Sequence, residues 1–365
     1  MRSPDSPGTP PKAATFPYYA TDPEHYTSFL QNYYAFKIST NPSTLGHVPK
    51  SLVQEFNYEN SPWIINHDSQ ELILTLTHPT TNPTNTINKN EHPKTPPLQP
   101  ESTSDSNKLT TLLSTSLLHL SQTSTHPLLT TLKHTWRNES FPITSPTGIP
   151  LLTIERSATA LFGLLTTGVQ LLCYVSSPNS TPNDLKLWIG RRSHSKQTYP
   201  GMLDTTAAGG LEAGLAPLEG IVREAVEEAS LPETLVRNRI KNVGVLSYYH
   251  VTEPGPDSAL DGVGLLQPER EVVYEMELDS RSRSRSGSQG GTGTGVVPVP
   301  GDSEVEEFYL WGVEEVKRAL GRGEFKLNSA VVVVDFLLRH GVDMGLDGEG
   351  EYEEIVRRLH RRLDV

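Results

Sequence analysis

The clearest helical pattern in the chain lies between Pro217 and Leu231. Apolar residues recur there at spacings of three and four positions, which places them along one face of a helix. These residues are Leu218, Ile221, Val222, Ala225 and Ala229. Pro217 suits the first turn, because the N–H that proline lacks would be unpaired there anyway. The pattern predicts an amphipathic helix that begins at Pro217 and buries this stripe.

Other apolar runs predict the remaining elements. Runs rich in β-branched and aromatic residues, bounded by Ser, Pro, Asn and Gly, predict strands. They are Trp63–Ile65, Leu72–Leu74, Val169–Val175, Leu185–Gly190, Val243–Val251, Arg270–Leu278 and Phe308–Trp311. Helices are predicted over Leu109–Trp136 and Tyr352–Leu363. The segment Phe325–Gly341 contains a run of four valines, so its periodicity alone leaves both strand and helix open.

Low-complexity segments divide the chain. Residues 1–18 and 77–108 are rich in Pro, Ser, Thr and Asn. They contain too few apolar residues to offset the conformational entropy that would be lost on folding. We expect a disordered tail and a disordered insert there, and a low-complexity insert at 280–301. The resulting organisation is an N-terminal α+β domain at 19–160, a second domain at 161–345 and a C-terminal helix within 346–365.

Composition narrows the functional class. The 365 residues carry a net charge of −12, which argues against a nucleic-acid partner. No apolar run approaches the roughly 20 residues of a membrane span. The one cysteine, Cys173, excludes an internal disulfide, and its apolar surroundings predict a buried thiol. We expect a cytoplasmic protein, with a nuclear fraction left open by the Arg-Ser repeat at 281–286.

Three carboxylates on the predicted helix are the first candidate functional groups. Glu224, Glu227 and Glu228 are three and four positions apart, so their like charges repel across one face. A solvated acidic helix face would explain them without any function. Their place beside the buried stripe, after a glycine-rich loop and next to Arg223, instead favours hard oxygen ligands for Mg²⁺ or Mn²⁺.

A basic segment precedes that helix. Arg191, Arg192 and Lys196 lie at the end of a predicted strand. Arginine forks onto phosphate oxygens and lysine adds a point charge, so three cations beside a metal helix suit a diphosphate. Any one of these side chains is as well explained by a solvated basic loop. The cluster favours phosphate binding.

The stretch from Gly209 to Leu231 resembles the Nudix box. This pattern has Gly, five residues, Glu, seven residues, and then Arg-Glu-apolar-any-Glu-Glu-any-Gly-apolar. Gly209, Arg223, Glu224, Ala225, Glu227, Glu228 and Leu231 match it. Leu215 stands where the pattern has its first Glu, so one outer partner of the metal site is lost. Ser230 stands where it has its last Gly, so the helix ends without the residue best suited to left-handed backbone.

The resemblance implies a fold and a set of roles. It implies an α/β/α sandwich around a mixed sheet, preceded by the small α+β domain, and a helix over 325–341. It implies a Mg²⁺- or Mn²⁺-dependent diphosphatase. Glu224, Glu227 and Glu228 would be the ligands, Arg223 would pair with Glu227 and orient it, and Glu304 or Glu306 would be a further carboxylate. Arg191, Arg192, Lys196, Gly209 and Gly210 would bind substrate.

Further runs resemble one group within that family, the thiamin pyrophosphokinase-related proteins of fungi and plants. They are Trp136–Glu139, Ile154–Ser157 and the basic segment that leads through Pro200–Asp204 to Gly209. This resemblance implies thiamin diphosphate, especially oxidised forms, as substrate. Oxidised nucleoside diphosphates are an alternative, as are a non-catalytic binding module and an isopentenyl diphosphate isomerase. The isomerase would need a cysteine where Thr206–Ala208 stand. The sequence does not predict the oligomeric state.

Overall fold

The described part of the computed structural model falls into two compact units. It comprises residues 22–76, 103–176, 181–252, 264–279, 295–346, 348–361 and 363. The N-terminal unit holds the described residues up to 166 together with 249–252 and 264–268. The C-terminal unit holds the rest of them, from 167 onward. The predicted tail 1–18 lies outside the described residues, as do 77–102 of the first insert and 280–294 of the second.

The N-terminal unit is built on a four-stranded mixed sheet with the order β2-β1-β4-β3. Strand β1 pairs in parallel with β4, and the other pairs are antiparallel. The strands are β1 Tyr33–Ile38, β2 Asn41–Pro49, β3 Trp63–Asn66 and β4 Glu71–Leu74. The helices beside them are α1 Pro23–Leu30 and α2 Lys50–Val53, which a 3₁₀ turn follows. Both strands predicted in this region are confirmed.

A pair of helices and a hairpin complete this unit. Helix α3 spans Thr103–Thr123, so residues 103–108, predicted to be disordered, are helical instead. The long helix predicted up to Trp136 is wrong in one respect, because the chain breaks before Pro127 and starts a second helix, α4 Pro127–Thr135. The His126 side chain caps that second helix by accepting a hydrogen bond from the Leu128 amide at 3.3 Å. Strands β5 Ser140–Thr144 and β6 Pro150–Glu155 pair antiparallel.

The C-terminal unit is organised around a seven-stranded sheet. Five strands form a continuous path in the order β11-β12-β7-β8-β13, while β10 pairs with β7 and β9 with β8. Their bounds are β7 Thr166–Val175, β8 Lys186–Arg192, β9 Leu203–Asp204, β10 Ala207–Gly210, β11 Lys241–Val251, β12 Leu266–Glu277 and β13 Val305–Gly312. The strands predicted from the apolar runs are all present.

Helices cover both faces of this sheet. They are α5 Pro217–Glu227, α6 Glu233–Arg239, α7 Val313–Gly321, α8 Leu327–Arg339 and α9 Glu349–Leu359. Side chains of β7 alternate between the two faces: Leu171 packs with α5 and α6, whereas Leu172 packs with α7 and α8. The predicted α/β/α sandwich is therefore confirmed. No helix of the described residues is both long and apolar enough to cross a membrane.

The structure corrects one detail of the sequence pattern and decides another, because the helix predicted over 325–341 from the family resemblance is present as α8. Leu218, predicted to lie in the buried stripe, is 41% exposed, while Ile221, Val222, Ala225 and Ala229 are buried as expected. The valine run is helical because α8 buries its apolar side chains against the sheet and α9. That tertiary packing outweighs the weak helix propensity of valine.

Candidate metal and diphosphate site

The end of helix α5 places two of the predicted ligands. Glu228 is its C-cap, and the Leu231 amide reaches back to the Ala225 carbonyl at 3.1 Å. This closing bond requires left-handed backbone at the intervening residue, and Ser230 has φ +50°. A non-glycine residue is thus held in a costly conformation, as the mismatch with the Nudix pattern predicts. The closure fixes Glu224 and Glu228 one helical turn apart at the rim of the sheet.

The segment before β13 covers this helix end. The amides of Val299 and Gly301 donate to the carbonyls of Ala229 and Glu228, at 3.0 and 3.1 Å. These carbonyls would otherwise be unpaired at the helix terminus. Residues 295–301 were predicted to belong to a low-complexity insert, and for them that prediction is wrong. They hold the chain against α5 and deliver Glu304 to the site.

Glu228 and Glu224 are the most enclosed of the candidate ligands. Glu228 is 6% exposed, and its Oε2 accepts the Ala208 amide at 2.8 Å. Burial, reinforced by Asp204, Glu224 and Glu304, raises the pKa of Glu228 well above its usual value. Burial also raises the pKa of Glu224, with Arg223 opposing the effect and Glu227 and Glu304 adding to it. Negative charge is therefore concentrated here at an electrostatic cost.

This environment fits a divalent cation. Among the described residues, Glu228 Oε1 receives no hydrogen bond and no cationic side chain pairs with Glu228. The donors are carboxylate oxygens, which Mg²⁺ and Mn²⁺ accept. In the part of the chain that the structure describes, no three His, Cys, Asp or Glu side chains are already grouped to hold a metal. Gathering the ligands around an ion therefore requires carboxylate side chains to rotate.

The other three candidate carboxylates differ in position. Glu227 is exposed at the last turn of α5. The predicted pairing of Arg223 with Glu227 is wrong, because the guanidinium pairs with Glu224 and Glu212 instead. Glu304 lines a cavity together with Glu228 and forms an ion pair with Lys196. Glu306 instead pairs with His194 at 2.8 Å on the exposed side. The structure thus favours Glu304 over Glu306 as the further carboxylate.

A polar cavity joins the carboxylates to the basic segment. Its lining includes Gly190, Arg191, Arg192, Asp204, Glu228 and Glu304. The Arg191 guanidinium donates to the Gly201 carbonyl at 2.8 Å and to the Tyr309 hydroxyl at 2.9 Å, and its side chain is 30% exposed. Arg191 thus lines the cavity beside Glu304, and Lys196 pairs with Glu304. That position is compatible with their predicted contacts to phosphate oxygens.

Arg192 has a different environment from the one predicted. It is buried, and its guanidinium donates to Asp204 at 2.8 Å and to the Thr198 carbonyl at 3.1 Å. Burial alone would raise the pKa of Asp204, but Lys326 and Arg192 hold it below its usual value. Arg192 therefore serves an internal ion pair, and its predicted role as a direct substrate contact is not favoured by this geometry.

The glycine that opens the box has a steric role. Gly209 lies on β10, and a Cβ added there would clash with the Glu224 carboxylate and lie 2.8 Å from its Cγ. Only glycine allows Glu224 to lie this close to the strand. Gly210 continues β10 opposite Gly168. The expected substrate contacts of Gly209 and Gly210 remain predictions.

Gly209→Ala should misplace Glu224 and leave the fold intact. Because a shift of about 1 Å in a reacting group can cost about 100-fold, we expect kcat to fall by about 10- to 100-fold. Steady-state kinetics and thermal melting together measure this. Gly321→Ala is the control, since an added Cβ there meets nothing within 4 Å. Equal kcat in the two variants would contradict the steric role.

A second buried carboxylate lies on the opposite face of the sheet. Glu271 is 4% exposed and accepts a hydrogen bond from the Asn328 side chain at 3.0 Å. Burial, helped by nearby Glu269 and opposed by Lys326, raises the pKa of Glu271 to about 7. The sequence analysis did not predict this buried carboxylate, because Glu271 directly follows the charged residues Glu269 and Arg270 and matches no motif.

Glu271→Gln should stabilise the protein at alkaline pH. The folded-state pKa lies above that of the unfolded chain, so stability is lost as pH rises through the interval up to about 7. At about 1.4 kcal/mol per pKa unit, the wild type should lose about 3 kcal/mol by pH 8. Gln keeps an acceptor for Asn328 and has no charge to ionise. Urea unfolding at pH 5 and pH 8 measures this, and parallel pH profiles for both proteins would contradict it.

The chain is similar in sequence to known proteins of a yeast and a plant. The chain is 34% identical over 229 residues to an uncharacterised protein of Saccharomyces cerevisiae, covering 62% of each. It is 32% identical over 230 residues to the chloroplastic Nudix hydrolase 20 of Arabidopsis thaliana, covering 62% of this chain and 53% of the relative. These similarities support the Nudix hydrolase family. The chain spans between about half and two thirds of the length of these relatives.

The remaining comparisons add little to the Nudix assignment. No protein-family model matches the chain. A crystal structure of DR0079 from Deinococcus radiodurans is 19% identical, with a TM-score of 0.37, and covers 56% of this chain and 99% of its own. A MutT protein from Methanosarcina mazei gives a TM-score of 0.30 at 16% identity, covering 48% and 92%. TM-scores this low give no information about the site.

Proposed function

We propose that this chain is a metal-dependent Nudix diphosphatase. The observation that carries the proposal is the shared cavity. Glu228, Glu304 and Arg191 line it, and Lys196 pairs with Glu304. Glu228 has no cationic partner among the residues that the structure describes. A cation on the carboxylate side and a diphosphate on the basic side would neutralise both halves of this site. The names of the two Arabidopsis relatives, Nudix hydrolases 20 and 24, support the same class.

In this proposal the acidic residues hold the metal ion and the basic residues hold the phosphate groups. Glu224, Glu227 and Glu228, with Glu304, would hold Mg²⁺ or Mn²⁺. A bound cation of this kind would withdraw charge from the diphosphate and lower the pKa of a water molecule. Arg191 and Lys196 would hold the non-bridging phosphate oxygens, and Arg223 would keep Glu224 in place. Water then adds across the P–O–P bond, giving a monophosphate and inorganic phosphate.

Thiamin diphosphate and its oxidised derivatives are the substrates we propose. The support is the resemblance of the basic segment and of the residues around Trp136 to the thiamin pyrophosphokinase-related group. Removal of damaged cofactor would be the corresponding role. Oxidised nucleoside diphosphates are the second candidates, because the cavity residues recognise the diphosphate and not the organic group. The isomerase alternative loses support, since Cys173 is fully buried and burial raises its thiol pKa to about 12.

A substrate panel tests this proposal. Purified protein is incubated with thiamin diphosphate, its oxidised derivatives and nucleoside diphosphates, with Mg²⁺ or with chelator, and products are resolved by chromatography. We expect equimolar monophosphate and phosphate from the thiamin compounds only when Mg²⁺ is present. Preferential cleavage of nucleoside diphosphates would replace the substrate assignment. No cleavage of any diphosphate would overturn the enzyme assignment.

A further inference from the structure

Arg223 has two carboxylate partners in the structure. One guanidinium nitrogen, NH2, lies 3.2 Å from Glu224 Oε1 and 3.0 Å from Glu212 Oε1. The Arg223 Nε is buried and makes no hydrogen bond within the described residues. This arginine is therefore shared between a candidate metal ligand on α5 and an acid in the loop before it. The sequence comparison with the Nudix box did not single out Glu212.

Glu212 begins a tight turn that ends at Leu215. The Leu215 amide donates to the Glu212 carbonyl at 3.2 Å, and Gly214 has φ +84°. Such a turn brings its first and fourth Cα atoms within about 7 Å of each other. Leu215 is the position where the box has lost its glutamate. The two positions are thus spatial neighbours, so Glu212 lies close to the position at which the box has its glutamate.

We propose that Glu212 is a positioning residue that takes the place of the box glutamate missing at Leu215. It acts through Arg223 and does not itself touch metal or substrate. Glu212 shares the positive charge of Arg223, so the guanidinium holds Glu224 without neutralising it. The expected effect of Glu212 on kcat rests on the proposed function. Its expected effect on metal affinity does not.

Loss of Glu212 should weaken the metal site in two ways. Arg223 would then pair with Glu224 alone. The guanidinium would therefore compete more strongly with a metal cation for the Glu224 carboxylate. The positive charge of Arg223 would also be less balanced near the ion. Outer partners of metal ligands typically contribute about 10- to 100-fold in affinity or activity. We therefore expect Glu212→Ala to bind Mn²⁺ at least about tenfold more weakly and to lower kcat by a similar factor.

An exchange of the acid between the two ends of the turn tests the proposal. The variants are Glu212→Ala and the double variant Glu212→Ala/Leu215→Glu. Glu219→Ala is the control, because Glu219 lies in the same region but pairs with Arg237 at 2.6 Å. Mn²⁺ affinity is measured by calorimetry, and kcat and KM are measured with the best diphosphate. The double variant should recover most of the lost affinity and kcat, whereas the control should match wild type.

The outcomes separate this inference from the proposed function. If Mn²⁺ affinity falls and recovers as expected but no diphosphate is cleaved, the enzyme assignment fails and the positioning role stands. If Glu212→Ala binds Mn²⁺ as wild type does, the positioning role is overturned. It is also overturned if affinity falls and the relocated glutamate recovers none of it while the melting temperature is unchanged. A folding defect shared by both variants would show Glu212 to be structural and would likewise overturn it.

Discussion

Glu228→Gln should reduce kcat by about 1,000-fold or more and leave the fold intact. The substitution removes the negative charge most enclosed in the cavity, where charge interactions are strong and water does not screen them. Gln keeps an oxygen that can accept the Ala208 amide, so the local hydrogen bond survives. Because burial raises the pKa of Glu228 well above its usual value, this acid costs stability in the absence of metal, and the thermal stability of the Gln variant should be equal or higher. Steady-state kinetics and calorimetric melting measure both effects.

Glu306→Gln is the matched control for that variant. Glu306 lies on the neighbouring strand β13, but its carboxylate pairs with exposed His194 and is not part of the cavity lining. We expect its kcat to stay within about twofold of wild type, since surface ion pairs contribute little. If Glu306→Gln loses activity and Glu228→Gln does not, the site has been placed on the wrong side of β13.

Asp204→Ala should destabilise the protein by about 3–5 kcal/mol. Removing one partner of a buried ion pair leaves the other charge uncompensated, here the Arg192 guanidinium. The variant also removes the acceptor of the Thr205 amide at 2.9 Å and of the Ser329 hydroxyl on α8. Urea unfolding at pH 7 measures the loss from the midpoint, provided that the slope is unchanged.

An exposed ion pair provides the comparison for Asp204. Glu233 pairs with Arg237 at 2.7 Å on the surface, so Glu233→Ala should cost less than about 1 kcal/mol. If Asp204→Ala costs no more than Glu233→Ala, the internal ion pair contributes little to stability. Arg192 would then again be a candidate for the phosphate contact that the sequence pattern suggested.

The five long strands of the C-terminal unit and helix α5 could be predicted from the sequence because each is encoded locally. Apolar runs of β-branched residues gave the strands, and Pro217 with a stripe at helical spacing gave α5. The carboxylates of the box were predicted for a similar reason. Glu224, Glu227 and Glu228 lie on one helix, so their spacing alone determines how close they are. Helix α8 needed the family resemblance, because its valines favour a strand.

Contacts between distant parts of the chain could not be predicted. Arg192 and Lys196 are similar cations in one segment, yet Arg192 pairs with buried Asp204, whereas Lys196 pairs with Glu304. Composition did not distinguish residues 295–301 from the repeats before them, although their amides close the end of α5. The contact between Glu212 and Arg223 depends on the turn at residues 212–215, which the sequence analysis did not predict. Each case depends on how the chain folds back on itself, which residue type does not specify.

Direct binding of divalent cations is the sharpest test of the central claim that the α5 carboxylates hold a metal. Mg²⁺ and Mn²⁺ are titrated calorimetrically into the full-length wild type, Glu228→Gln and Glu306→Gln, without any substrate. We expect saturable binding at millimolar concentrations or below for wild type and Glu306→Gln, and at least about tenfold weaker binding for Glu228→Gln. Absence of binding to the wild type, or equal binding to all three proteins, would contradict it.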